Sequence, residues 1–99
     1  MENQAKQVAE LLKVLANQNR LMVLSILIEQ PMMVSEIAKR IPKITQSALS
    51  QHLALLRAYG IVDFNRSGQN IIYSIADHRV EQVIYILQKY YCNNETEKA

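Results

Sequence analysis

The stretch from Thr45 to Gly60 carries hydroxyl and amide side chains at a spacing that places them on one face of a helix. At about 100° per residue, that face consists of Gln46, Ser47, Ser50, Gln51, Ala54 and Arg57. The opposite face is mostly apolar and consists of Ala48, Leu49, His52, Leu53, Leu55 and Leu56. Hydroxyl and amide groups both donate and accept hydrogen bonds, as the edges of DNA bases do. We interpret 45–59 as a helix that recognises bases, with a weakly charged solvent-exposed surface as the alternative.

Basic residues are concentrated around this helix, although the whole chain has a net charge of only +2. Between Lys39 and Arg66 there is one acid, Asp63, and there are five basic residues: Lys39, Arg40, Lys43, Arg57 and Arg66. That segment therefore has a net charge of +4, and the rest of the chain has −2. A positive surface beside a polar helix face is what contact with DNA phosphates requires.

Helical spacing of apolar residues predicts four further helices, at 1–16, 17–30, 33–41 and 77–92. Three helices are preceded by residues suited to an N-cap, namely Asn17, Thr45 and Asp77. Pro31 and Pro42 end the second and third helices, and Gly60 suits the left-handed residue that follows 45–59. Because only Pro42–Ile44 separates 33–41 from 45–59, these two helices form a helix-turn-helix.

After Gly60 the apolar period changes to two on both sides of a turn at 67–70, which predicts a β-hairpin. A hairpin directly after a helix-turn-helix is a wing, and Arg66, Gly68 and Gln69 give it a basic, polar tip. Such a tip suits phosphate contact or entry into the minor groove, with an ordinary exposed hairpin as the alternative. The predicted fold is mainly α with a β-hairpin wing, a winged helix-turn-helix in the order α-α-α-α-β-β-α.

The first and last helices lie outside the helix-turn-helix, and each has an apolar stripe to bury. In a chain of 99 residues the core is small, so we expect these two helices to form a two-fold homodimer. Packing of both helices onto their own domain is the alternative. We expect one DNA-binding and dimerisation domain at 1–92, followed by a disordered tail at 93–99.

Four segments resemble, in order, the ArsR/SmtB family of bacterial winged-helix repressors: ANQNRLMVLSIL, VSEIAKRI, TQSALSQHLALLRAYGIV and GQNIIYSI. The sequence looks most like the HlyU/BigR-type branch, which senses reactive sulfur or oxidation. The resemblance implies a homodimer that binds an inverted repeat in a promoter, with its wing on the flanking DNA backbone. The residues expected to face bases are Gln46, Ser47, Ser50 and Gln51. The other expected DNA contacts are Lys43, Thr45, Arg57, Arg66, Gly68 and Gln69.

The resemblance also bears on the effector. Family members that bind arsenite or soft metals use closely spaced cysteines in the third helix, where this chain has Met32 and Met33. Members that bind zinc use an Asp and a His separated by one residue in the last helix, whereas Asp77 and His78 are adjacent. We therefore expect no metal and no cofactor, and we interpret this pair as a helix cap and its neighbour.

Cys92 is the only cysteine, so the chain cannot form an internal disulfide. In the sulfur-sensing branch a late cysteine of the last helix pairs with one in the second helix, where Ser25 stands here. A hydroxyl cannot close a disulfide, so this switch is broken. Cys92 is either a site of oxidation, persulfidation or intermolecular bridging, or an unreactive residue near the terminus.

Two other polar residues have more than one interpretation. His52 lies among apolar residues, so we expect a partly buried, hydrogen-bonded side chain rather than a contact with a base. Arg20, at the start of the second helix, is either a phosphate contact or the partner of a carboxylate.

The sequence favours a dimeric DNA-binding transcriptional regulator, either a repressor or an anti-silencer. The alternative is a winged-helix protein-interaction module without sequence-specific DNA binding, which the local positive charge disfavours. We expect no enzyme, because two histidines and one cysteine without a glycine-rich phosphate loop provide no nucleophile–base pair. The lack of a leader or of a long apolar run predicts a cytoplasmic protein. The sequence identifies no small-molecule or redox effector.

Overall fold

The computed structural model describes residues 1–92, which form five helices and a three-stranded antiparallel sheet. The helices are α1 (Glu2–Leu15), α2 (Gln18–Glu29), α3 (Val34–Arg40), α4 (Gln46–Ala58) and α5 (His78–Tyr91). The strands are β1 (Met32–Met33), β2 (Val62–Ser67) and β3 (Asn70–Ile75), in the spatial order β1-β3-β2. The predicted helix-turn-helix and wing are confirmed. The predicted tail at 93–99 lies outside the described residues.

The three predicted N-caps are confirmed. In each, a side-chain oxygen accepts a hydrogen bond from a backbone N–H two or three residues later, at 3.0 Å for Asn17, 3.1 Å for Thr45 and 3.0 Å for Asp77. Each bond satisfies a donor that has no partner within its own helix. Gly60 follows α4 with a φ of +72°, a left-handed conformation that glycine adopts without a Cβ clash.

The predicted helix from Met33 to Ile41 is one residue too long at each end, and the prediction missed β1. Met32 and Met33 pair with Tyr73 and Ile72 of β3, so the sheet has three strands where the sequence predicted two. Two residues are too few to show a period of two, and their partner strand is distant in the sequence. This pairing ties the start of α3 to the wing.

Helix α2 is the centre of the fold, as its broad apolar surface predicts. It contacts α1, α3, α4, α5 and β3, and its buried residues are Val23, Leu24, Ile26 and Leu27. Helix α4 contacts α2 and α3, and it buries Leu49, Leu53 and Leu56. Because apolar burial contributes about 25 cal/mol per Å², these leucines determine which face of α4 points into the core.

Helix α1 joins the core only at its C-terminal end. Residues 1–10 are all exposed, whereas Val14 and Leu15 are buried. The molecule measures 43 × 43 × 22 Å, and its radius of gyration is 14.5 Å. A compact domain of this length has a smaller radius of gyration, about 13 Å. The apolar face of α1, with Val8 and Leu12, is therefore left uncovered by the rest of the described chain.

Arg20 stabilises the break between α1 and α2. Its Nε donates a hydrogen bond of 2.6 Å to the backbone oxygen of Val14. Within residues 1–92 Arg20 forms no ion pair with a carboxylate, so the expected carboxylate partner is not found. Its contact with a phosphate stays a prediction. No single helix within residues 1–92 is long and apolar enough to cross a membrane; α1 and α2 pass that test only as a pair, which is bent by 89°.

Replacing Asn17 by alanine removes the acceptor that caps α2, so we expect the free energy of unfolding to fall by about 1 kcal/mol. Urea denaturation measures this change. Asn17→Asp is the matched control, because its carboxylate still accepts from the backbone N–H of Arg20. An equal loss of stability in both variants would contradict the capping role.

Candidate DNA-binding surface

Helix α4 has the two faces that its sequence predicts. The six residues of the polar face are exposed, namely Gln46, Ser47, Ser50, Gln51, Ala54 and Arg57. On the other face Leu49, Leu53 and Leu56 are at most 1% exposed, and Ala48, His52 and Leu55 are half-buried. The chain therefore presents an outward row of hydroxyl and amide groups on a helix held by its opposite side.

The N-terminal end of α4 adds backbone donors and a cation to this row. The turn after α3 is closed by the Ile44 N–H, which donates to the oxygen of Ile41 at 3.2 Å. Lys43 and Thr45 are exposed in this turn, and the Thr45 hydroxyl oxygen is used by the cap. Because a helix N-terminus is electropositive, this end of α4 suits an anionic partner such as a phosphate.

The wing tip is a two-residue turn. Ser67 pairs with Asn70 across it and Arg66 pairs with Ile71 one step further from the tip. Gly68 has a φ of +64°, which the turn requires and which glycine supplies. Residues 66–70 are all exposed, so the predicted wing residues Arg66, Gly68 and Gln69 are accessible to a partner.

The basic segment has fewer unpaired cations than its five basic residues indicate. Arg57 Nε donates to Asp63 Oδ1 at 3.0 Å, and Arg40 Nη2 donates to Glu29 Oε2 at 3.0 Å. The hydrogen bond from Arg57, and then the one from the backbone N–H of Phe64, hold the pKa of Asp63 below its usual value. Two of the five cations therefore already have acidic partners, which local composition could not reveal.

His52 is half-buried, as predicted, but no hydrogen bond joins its ring to any of residues 1–92, so the expected bond is not found. Burial, followed by the charge of Arg20, lowers the pKa of His52 below its ordinary value of 6.5. The His52 imidazole therefore binds a proton less readily than a free histidine does, and it lies at the inner edge of α4, close to the start of α2.

The start of α5 is a cap, as the sequence predicts. Besides the capping bond, the Arg79 guanidinium binds both carboxylate oxygens of Asp77, at 3.0 and 2.9 Å. This hydrogen bonding holds the pKa of Asp77 below its usual value. His78 Nδ1 lies 3.0 Å from Glu81 Oε1. In the described part of the chain, no group of three or more His, Cys, Asp or Glu side chains is placed to hold a metal ion.

Ser25 contacts α5 one helical turn before Cys92. Its hydroxyl donates to the oxygen of Leu21 at 2.9 Å and accepts from Gln88 Nε2 at 2.9 Å. Cys92 follows α5 as an exposed free thiol. The sequence did not predict the bond between Gln88 and Ser25, because the two residues are far apart in the chain.

Residues 17–63 match the family model described as bacterial regulatory protein, arsR family. The chain is also 37% identical to the transcriptional activator HlyU of Vibrio cholerae, over 93% of this chain and 84% of that protein. The chain belongs to the ArsR family of bacterial regulatory proteins. It is therefore a regulator of transcription with a winged helix-turn-helix, not an enzyme, as the sequence predicts.

Three similar solved structures share this fold. Reduced HlyU from Vibrio cholerae has a TM-score of 0.85 at 37% identity, covering 93% of this chain and 96% of that one. The transcriptional repressor BigR from Xylella fastidiosa has a TM-score of 0.83 at 37% identity, covering 96% and 93%. The homodimeric winged helix-turn-helix domain Mb0332 from Mycobacterium bovis has 0.81 at 27% identity, covering 97% and 88%. The predicted resemblance to the HlyU/BigR-type branch is confirmed.

The lowered pKa of His52 predicts a loss of stability in mild acid. The unfolded chain takes up a proton near pH 6.5, whereas the folded chain resists protonation until the pH reaches the lower folded pKa. The free energy of unfolding should therefore fall as the pH is lowered from about 7, through 6.5, towards the lower folded pKa. Urea denaturation across this range should show a smaller fall in His52→Gln than in the wild type. A fall that persists undiminished in His52→Gln would refute the assignment.

Proposed function

We propose that the chain is a dimeric regulator that binds an inverted repeat in a promoter through the recognition helix at 45–59 and the wing at 66–70. The exposed row of Gln46, Ser47, Ser50 and Gln51 carries this proposal. Amide groups form paired hydrogen bonds with adenine and hydroxyl groups bond to several base edges, so this row has the chemistry of sequence recognition. Hydrogen bonds to phosphate then fix the position of the helix without adding specificity.

The remaining contacts are assigned to the DNA backbone. Lys43 and Thr45 stand at the electropositive end of α4, where a phosphate would be stabilised by both charge and backbone N–H groups. Arg66, Gly68 and Gln69 lie at the exposed wing tip and would contact the flanking backbone or minor groove. Arg57 is in the last turn of α4, just before the chain enters the wing.

Dimerisation is proposed through α1 and α5. Helix α1 exposes Val8 (54%) and Leu12 (53%), and α5 exposes Val83 (44%) and Leu87 (46%). Val8, Leu12 and Val83 line a common groove of about 370 Å³. A second copy placed there would bury apolar surface that is otherwise exposed to water. The similar Mb0332 domain is homodimeric, which supports dimerisation.

A two-fold dimer would place two recognition helices in successive major grooves, about 34 Å apart. We assign both DNA binding and dimerisation to one domain at 1–92. A regulator of bacterial promoters acts on the chromosome, in the cytoplasm.

Repression would follow from occupying the promoter, and activation would follow from displacing a silencer, in line with relatives named as a repressor and as an activator.

A regulatory signal must bind the DNA-competent and incompetent dimers with different affinities. The exposed thiol of Cys92 is one place where oxidation could act. Ser25 offers a hydroxyl on the facing helix, so any disulfide would have to join Cys92 to another molecule.

Selection of duplexes from a random double-stranded library by the purified protein tests the function directly. We expect an inverted repeat whose affinity falls steeply with salt. Gln46→Ala or Ser50→Ala should weaken discrimination at particular base pairs by about 1–3 kcal/mol. Arg66→Ala should weaken all sequences alike and reduce the salt slope by about one. Absence of any selected sequence, with salt-insensitive binding, would instead support a protein-interaction module.

Leu12→Asp and Val83→Asp should convert the dimer to a monomer and weaken binding to the inverted repeat, because a buried carboxylate without a partner is costly. Sedimentation velocity measures the change in mass. Asn3→Asp is the control, because it places the same carboxylate on the opposite side of α1 from Leu12. A wild-type protein that sediments as a monomer would contradict the proposed dimer.

A further inference from the structure

Arg57 joins the recognition helix to the wing by a chain of contacts. Its Nε donates to Asp63 Oδ1 at 3.0 Å, and its Cζ lies 4.2 Å from the centroid of the Phe64 ring. The Phe64 ring packs edge-on against Tyr73, with centroids 5.5 Å apart. The backbone N–H of Phe64 donates to the same Asp63 oxygen at 2.8 Å. The contacts therefore run from the last turn of α4 through β2 to β3.

Stability alone is a weak reason for this arrangement. The side chains of Arg57 and Asp63 are 51% and 62% exposed, and exposed ion pairs contribute only about 0–1 kcal/mol. Two contacts nonetheless act on one guanidinium, since the carboxylate holds its Nε and the aromatic ring holds its face. Within residues 1–92, the Nη groups of Arg57 take part in no hydrogen bond, so its outer donors stay available.

A groove of about 560 Å³ lies beside Arg57, between α4 and β2. Besides Arg57 and Asp63, the residues along it include Ala54, Ala58 and Gly60. These small residues allow a partner backbone to come close to the guanidinium. The groove also lies between the two elements proposed to contact DNA, where the sugar-phosphate backbone would pass from the major groove to the wing.

We propose that Asp63 and Phe64 are positioning residues that hold Arg57 ready to bind a DNA phosphate in this groove through its Nη groups. This inference rests on the proposed DNA-binding function. Holding a long side chain in place before binding avoids an entropy cost worth roughly two- to tenfold in affinity. A carboxylate near DNA also repels phosphate, so the proposal requires that the gain from orientation exceeds this repulsion.

Comparison of two acid-to-alanine variants separates orientation from repulsion. Asp63→Ala and Glu29→Ala each remove one exposed carboxylate from a 3.0 Å ion pair with an exposed arginine. We expect Asp63→Ala to weaken binding to the selected duplex roughly two- to tenfold, whereas Glu29→Ala leaves it unchanged or tighter. Tighter binding by both variants would overturn the proposal, because Asp63 would then act only as a repelling or masking charge.

The background Arg57→Ala tests whether Asp63 acts through Arg57. Arg57→Ala should reduce the salt slope of binding by about one, as expected when one phosphate contact is lost. In that background, removing Asp63 should no longer weaken binding, because only its repulsion remains. A loss of affinity that is the same in both backgrounds would show that Asp63 supports the wing independently of Arg57.

A measurement without DNA distinguishes failure of this inference from failure of the proposed function. Proton exchange of the Arg57 Nε–H, followed by NMR, should be slower in the wild type than in Asp63→Ala or Phe64→Leu. Equal exchange rates would overturn the positioning role even if the protein binds its duplex. Slow exchange in a protein that binds no duplex would instead refute the proposed function, and with it the phosphate contact.

Discussion

The packing of one face of α4 against the core is the constraint on which the rest of the surface depends. Leu49, Leu53 and Leu56 are buried on this face, and α4 contacts the central helix α2. Each buried leucine stabilises the fold by about 1.5–3 kcal/mol, so rotating α4 by one residue would expose leucines and bury amides without partners. The hydroxyl and amide face therefore points outward as a consequence of core packing.

The same core leaves other parts of the chain incomplete. Residues 1–10 contact little of the described molecule, and α5 shows apolar side chains to solvent. A second copy of the chain would cover these surfaces and duplicate the recognition helix by symmetry. Dimerisation would therefore both enlarge the small core and provide the two helices that an inverted repeat requires. Within one copy, Arg57 links α4 to the wing through its contacts with Asp63 and Phe64.

Local patterns account for what the sequence predicted, and contacts between distant residues account for what it missed. Apolar periodicity identified the helices and the hairpin, and capping chemistry located the starts at Asn17 and Thr45 to the residue. The two-residue strand β1 exists only through pairing with β3. Likewise, the acidic partners of Arg40 and Arg57 depend on the tertiary fold, so a count of charges overstated the free positive charge. The roles of the exposed polar residues remain predictions, because the structure shows that these side chains are exposed and contains no DNA for them to contact.

A titration of the ¹⁵N-labelled protein with its selected duplex, followed by NMR, tests the central claim most directly. The largest changes in backbone amide shifts should lie at 45–57 and 66–70 and should saturate at one duplex per dimer. Changes confined to α1 and α5, with the amides of Gln46, Ser47, Ser50 and Gln51 unaffected, would contradict the claim that the exposed face of α4 binds DNA.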